Sequence, residues 1–354
     1  MANHGLRGFI LWRRRWAKRE WIIAAAVGFA ILIFAFSLLS NSSSKQSKPN
    51  QPFDSSINEG VPFTSLRNAK DRGAYCLDGS IPGYHFQKGF GSGSDNWVLH
   101  IEGGGWCNTI ELCSLRKRTA VGSSNYMDHE VQFSGILSRD PSQNPDFFNW
   151  NKVKIRYCDG ASFAGHPESE FRGVAKSLDE NCIAGVEPSM CFFPQEFIKH
   201  IKTPIFLVQP AYDFWQVTFP SIRNILVPDA SDPHGSWFKC KLNIHNCNPS
   251  QIEVLQGFRS KLLKTLSEFQ QNKEGGMFVN SCFVHCQTWM AETWHSPSSP
   301  RINSKVSFVN YPVACSSDKS IAESVGDWYF NRKAAKQIDC PYPCNPTCYH
   351  VNLT

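Results

Sequence analysis

Three short stretches of the 354-residue chain carry groups suited to chemistry, and each follows an apolar run. Trp97–Ile101 (WVLHI) passes through Glu102 into Gly103-Gly104-Gly105-Trp106-Cys107. The run 205–209 (IFLVQ) passes into Pro210-Ala211-Tyr212-Asp213. The run 277–279 (MFV) passes into Asn280-Ser281-Cys282-Phe283-Val284-His285-Cys286. Without Cβ atoms, a glycine turn lets backbone N–H groups converge on a ligand. Aimed at a developing oxyanion, they stabilise a tetrahedral intermediate. An aspartate bonded to a histidine holds the imidazole ready to accept a proton. Taken singly, these features are a tight turn, a turn or cap residue and a structural histidine. The ordered set points to acyl transfer.

The elements that must position these groups are legible as periodicity. The runs 97–101, 153–157 (VKIRY), 205–209 and 277–279 are short, β-branched or aromatic, and bounded by turn residues, as buried strands are. Ile252, Leu255, Phe258, Leu262, Leu266 and Phe269 recur at helical spacing between Pro249 and Gly275. Buried strands alternating with helices predict an α/β domain with a largely parallel sheet and helices on both faces. In such sheets, ligands bind outside the carboxyl ends of the strands. The chain order of glycine loop, acid and histidine is that of α/β-hydrolases.

Composition narrows the setting. With 42% hydrophobic and 19% charged residues, the chain is too apolar for disorder and long enough for a substantial core. The net charge of +6 is concentrated at the start, where Arg7, Arg13, Arg14, Arg15, Lys18 and Arg19 stand against Glu20 alone. The remainder is nearly neutral, which argues against a nucleic acid partner. Residues 21–39 (WIIAAAVGFAILIFAFSLL) hold no charge and as a helix span roughly 28 Å, enough for a bilayer core. With the basic residues 1–20 kept cytosolic, this segment reads as a signal anchor or a signal peptide. Residues 40–60 read as a flexible Ser/Asn/Pro-rich stalk, and 61–354 as the folded body. The body is thereby delivered to the lumen of the secretory pathway or the outside of the cell, released or held by a single-pass type II anchor.

Fourteen cysteines suit that oxidising route. Cys107 with Cys113, and Cys240 with Cys247, are spaced to close short loops. Cys282-x2-His285-Cys286 and Cys340-x3-Cys344-x3-Cys348 have metal-like spacing, but zinc needs thiolates, and here disulfides are favoured. No metal and no cofactor is expected. The sequons at Asn41 and Asn352 are weak glycosylation signals, while Asn248 and Asn345 are each followed by proline and excluded.

Longer motifs sharpen the reading. IPGYHFQKGFGSGSDNWVLHIEGGGWC (81–107), KIRYCDGASFAG (154–165), CFFPQ (191–195), AYDFWQ (211–216), DPHGSW (232–237), SCFVHCQTWMAETW (281–294), GDWYFNR (326–332) and DCPYPCNPTC (339–348) resemble the plant pectin acetylesterases. That family also includes the animal carboxylesterase Notum. The resemblance implies an α/β-hydrolase fold and a Ser-His-Asp triad that removes acetyl groups from pectin. It makes Asp213 the triad acid and His285 the triad base. It makes Gly105 and Trp106, with Gly104 shaping the turn, the oxyanion loop.

One part of the family pattern is missing. The family's serine sits in a Gly-Cys-Ser-Ala-Gly-Gly elbow between the 154–165 and 191–195 segments. No G-x-S-x-G occurs in this chain, and the nearest match, Gly160-Ala161-Ser162-Phe163-Ala164, falls where the family has a plain loop. The junction near 170–171 reads as an in-frame deletion of the elbow strand, the elbow and neighbouring helices. Residues 217–221 and 306–318 read as insertions. Loss of a central strand is expected to leave its neighbours unpaired, at roughly 1–3 kcal/mol for each buried group. The expected activity is that of an impaired esterase. Two rivals are a non-catalytic carbohydrate-binding or decoy protein, with Trp106, Tyr212, Trp215 and Trp294 offered to sugars, and a Notum-like lipid-ester hydrolase.

Overall fold

The computed structural model describes residues 60–107, 109–163, 178–216, 235–302, 318–350 and 352. The expected basic terminus (1–20), apolar segment (21–39) and most of the stalk (40–60) lie outside these residues. So do the 170–171 junction, 217–221 and all but the last residue of 306–318. Among the described residues no helix is long and apolar enough to cross a membrane.

Among the described residues eight strands form two sheets. In chain order they are β1 (Val61–Ser65), β2 (Gly83–Gln87), β3 (Trp97–Ile101), β4 (Glu130–Val131), β5 (Asn151–Ile155), β6 (Phe206–Pro210), β7 (Gly276–Asn280) and β8 (Lys336–Ile338). The first sheet has the order β3-β5-β2-β1-β4 and the second β6-β7-β8. Pairing is antiparallel through β4, β1, β2 and β5, and parallel from β5 to β3 and throughout the second sheet. The helices are α1 (Ile110–Arg116), α2 (Glu180–Ile183), α3 (Pro194–Phe197), α4 (Ser236–Leu242), α5 (Pro249–Thr265), α6 (Ala291–Trp294) and α7 (Ile321–Tyr329). The α/β architecture is as expected, with its parallel part gathered around the candidate residues.

Local chemistry explains the strongest elements. Asn248 and Gln251 form a capping box, and Pro249 occupies a first-turn position where its missing N–H costs nothing. The periodic run therefore starts α5 at Pro249, while Leu266 and Phe269 stay buried just beyond its end. Strand β7 is buried along its whole length, as a central parallel strand is. On one face of the second sheet Met277 and Val279 pack with Leu255, Ile244 and Phe269. On the other, Phe278 packs with Trp294 and Ile321. Phe147 and Trp150 join this second cluster from the first half of the chain, and Val98, Phe206 and Val208 pack against it.

The two sheets do not pair with each other, because β3 and β6 are both edge strands. Asn151 N–H bonds Asn96 O, and Glu102 N–H bonds Ile155 O, so the even residues of β3 face β5. The amide groups of Trp97, Leu99 and Ile101 therefore point to the open edge. Their side chains are 54%, 61% and 63% exposed. On β6, Gly276 N–H bonds Ile205 O and Ala211 N–H bonds Asn280 O. By the same alternation, Phe206, Val208 and Pro210 face outward. Among the described residues β3 and β6 therefore each leave one edge without a strand partner.

Among the described residues six disulfides join Cys76–Cys158, Cys107–Cys113, Cys182–Cys191, Cys240–Cys247, Cys282–Cys348 and Cys340–Cys344. Both short loops anticipated from spacing are closed. The metal-like cysteine groups are consumed by these bonds, with Cys286 left as an exposed free thiol.

Candidate active site

The glycine loop, the aspartate and the histidine all lie just past the carboxyl ends of β3, β6 and β7. Asp213 follows β6 by three residues and is largely buried. Its Oδ1 accepts the N–H of Trp215 at 2.9 Å, and its Oδ2 lies 2.8 Å from His285 Nδ1. A carboxylate can only accept, so Nδ1 carries the shared proton and Nε2 is the ring nitrogen not engaged by Asp213. Trp215 lies against the imidazole at 5.1 Å between ring centres, and Phe214 at 5.9 Å. Burial alone would push the imidazole pKa down. The bond to Asp213, with a smaller contribution from the neighbouring Cys286, outweighs it and raises the pKa to about 9.

The glycine loop is braced from outside. Arg116, at the end of α1, donates from Nη1 to Gly104 O (2.6 Å) and Gly105 O (2.9 Å), and from Nη2 to Trp106 O (3.4 Å). Tyr157 OH also donates to Gly105 O, at 2.6 Å. In a trans peptide the N–H points opposite to the C=O. With the carbonyls of Gly104 and Gly105 drawn to Arg116, the N–H groups of Gly105 and Trp106 are turned the other way. Gly105 has φ +65°, a conformation that favours glycine, and a Cβ on Gly104 would collide with the Tyr157 ring. The Cys107–Cys113 disulfide ties the loop to α1, and Cys107 N–H bonds Gly160 O. Below the loop, Glu102 pairs with Lys154 (3.0 Å) and Arg156 (2.9 Å). Burial pushes the Glu102 carboxyl pKa up, but these cations hold it below the usual range.

Asp213 and His285 are thus brought together, and Gly104, Gly105 and Trp106 form a built loop. Ser162 is a loop residue with φ 52°, whose N–H bonds Tyr157 OH. Of the aromatics considered for sugars, Trp106 is exposed, whereas Tyr212 and Trp294 are core residues. The offer of Tyr212 and Trp294 is therefore corrected: Tyr212 packs beside Phe283 and bonds Gln256, and Trp294 packs on Phe278. Arg116, Tyr157 and Glu102 were missed by sequence reasoning. The cysteine spacing that ties 107 to 113 was the one signal that α1 braces the loop.

The family model of the pectinacetylesterases matches residues 55–173 and 169–349, most of the chain. The chain belongs to the pectinacetylesterase family. Pectin acetylesterase 5 of Arabidopsis thaliana is 44% identical over 436 positions, covering 96% of this chain and 97% of that protein. Pectin acetylesterase 4 of the same plant is 43% identical, covering 95% and 98%. The first alignment has 436 positions against 354 residues here, so at least 82 positions have no counterpart in this chain. The two matched pieces meet at 169–173. The palmitoleoyl-protein carboxylesterase NOTUM of Schmidtea mediterranea is 36% identical over 28% of the chain and 19% of that protein. A crystal structure of the Wnt deacylase Notum from Drosophila superposes with TM-score 0.58 and 17% identity, covering 82% of this chain and all of that one. The fold of this pectinacetylesterase-family chain is α/β-hydrolase-like.

Proposed function

We propose that this chain is a carboxylic ester hydrolase of the pectin-acetylesterase type that retains its acid, base and oxyanion loop but lacks its nucleophile. The reading is carried by the 2.8 Å bond between Asp213 and His285. In the complete mechanism a serine attacks the acetyl carbonyl as His285 Nε2 takes its proton. The N–H groups of Gly105 and Trp106 hold the oxyanion, and the protonated His285 then protonates the departing sugar hydroxyl. Water attacks the acetyl-enzyme with the same help and releases acetate. The substrate is acetylated pectin, and no step calls for a cofactor.

The separate family-matched pieces and the surplus positions of the relatives support a deletion near 170–171 that removed the elbow. Loss of one triad member leaves only residual catalysis from the oxyanion loop and binding. The uncharged run 21–39 after a basic stretch supports anchoring in, or passage through, the secretory membrane, with 40–60 as stalk and 61–354 lumenal or in the cell wall. Acetate release from acetylated pectin tests the reading. This chain is expected to be slower than pectin acetylesterase 5 by on the order of 10⁴-fold or more, and ordinary turnover would refute it. The absent serine also favours a second reading, a carbohydrate-binding decoy with exposed Trp106 as a contact. Saturable binding of acetylated pectin without acetate release would select it. A preference for a fatty-acyl ester over the acetylated polymer would instead select the Notum-like alternative.

A further inference from the structure

We infer that the gap between β3 and β6 is an acceptor site for one extended polypeptide strand supplied by another molecule. Among the described residues no strand pairs either bordering edge. Val98 of β3 and Phe206 and Val208 of β6 pack on the same cluster, so the two edges border one gap. The open edges present the N–H and C=O groups of Trp97, Leu99, Ile101, Phe206 and Val208, and the C=O of Pro210. Natural sheets guard such edges with charge, bulges or cover. Here the carboxylate of Glu102, at the end of β3, is already tied to Lys154 and Arg156.

The geometry specifies the occupant. A strand entering the gap would complete both ladders, so its backbone is satisfied on both sides. Its side chains beside Val98 and Val208 meet the buried cluster. Those on the other face lie beside exposed Trp97, Leu99 and Ile101. Apolar neighbours on both faces favour a run of apolar, β-branched residues over an alternating one. The junction of the two matched pieces falls between β5 and β6 in the chain. The fitting partner is therefore that missing strand, delivered as a separate peptide. This rests on the reading that the strand was lost from this chain.

The test is amide hydrogen exchange on the purified full chain. The added probe is a synthetic peptide carrying the pectin acetylesterase 5 residues that lie opposite the junction at 169–173. Exchange at 97–101 and 206–208 is expected to slow at least tenfold, saturably, on peptide addition. Leu99→Pro removes an N–H that points to the open edge and no N–H that bonds β5, and it is expected to abolish the protection. Val208→Pro is expected to do the same from the other side, should the first variant fold poorly. Unchanged exchange at saturating peptide would overturn the inference, as would protection that survives both variants. Protection that needs no peptide and grows with protein concentration would also overturn it, by making the occupant a second copy. Protection without acetate release leaves the acceptor site standing and counts against the proposed esterase activity instead.

Discussion

Each half has an open strand edge, but the half that holds Asp213 and His285 backs it with a buried central strand, whereas the half that holds the glycine loop leaves the side chains of its edge strand exposed. In the first, β7 is buried on both faces between α5 and the Trp294 cluster, so the acid and base are set by a finished core. In the second, β3 ends in a loop held by Arg116 and Tyr157 but runs along an uncovered edge. The difference teaches that each part of the site is held locally. An ion-braced loop and a core-set aspartate each keep their geometry without a strand that pairs the two sheets.

The sharpest way to test this contrast is to truncate one side chain in each half. Phe278→Ala removes a fully buried ring of β7 and is expected to cost about 3–5 kcal/mol, whereas Leu99→Ala on β3 stays within about 0.5 kcal/mol. Urea unfolding measures both, and similar losses would end the distinction.

The halves also respond oppositely to pH. Burial, helped by the charge of Arg139, pushes the Lys152 amine in β5 down to about 7. The unfolded amine binds its proton up to about 10.5, so this group makes stability rise with pH between those values. His285 is raised to about 9. Its stabilising contribution is complete below about pH 6.5 and is lost as pH rises through about 9. Between pH 7 and 9 the two oppose, each with a slope of at most about 1.4 kcal/mol per pH unit. Lys152→Met is expected to leave a falling profile and His285→Gln a rising one. Profiles that coincide would contradict the assignment.

Smaller effects are expected at the seam and at the loop. Arg332 donates to both carboxylate oxygens of Asp146 (2.8 and 2.6 Å), joining α7's end to the first half. Its exposure limits the cost of Arg332→Ala to about 1 kcal/mol, read as a drop in Tm. Arg116→Ala is expected to cost less still, below about 1 kcal/mol, yet to speed amide exchange at Gly105 and Trp106. Unaltered exchange there would show that the carbonyl clamp does not hold the loop.

Much of this was legible before any coordinates. The strand ends announced themselves because apolar β-branched runs stop at Gly, Pro or Asn, and Asp213 and His285 follow two of them at short distance. The two short cysteine loops were legible because spacing alone limits their reach. The split into two sheets was less so, since strand pairing is non-local and periodicity carries no partner. Arg116 was hidden for the same reason: an arginine on a short helix looks solvated until its carbonyl partners are known. Tyr212 and Trp294 illustrate the converse, since an aromatic beside a candidate site is as well suited to packing as to ligand contact.

The disulfides among the described residues have a mechanical consequence. The long cross-linked loops, Cys76–Cys158 and Cys282–Cys348, lie on opposite sides of the 170–171 junction, and no bond crosses from one to the other. Pulled by its two ends, the oxidised molecule can release little slack inside either loop. Most of its extension must come from the stretch between Cys158 and Cys282. That stretch contains β6 and Asp213, so force would part the molecule at the uncovered edge and separate the acid from its histidine while both cross-linked blocks stayed short.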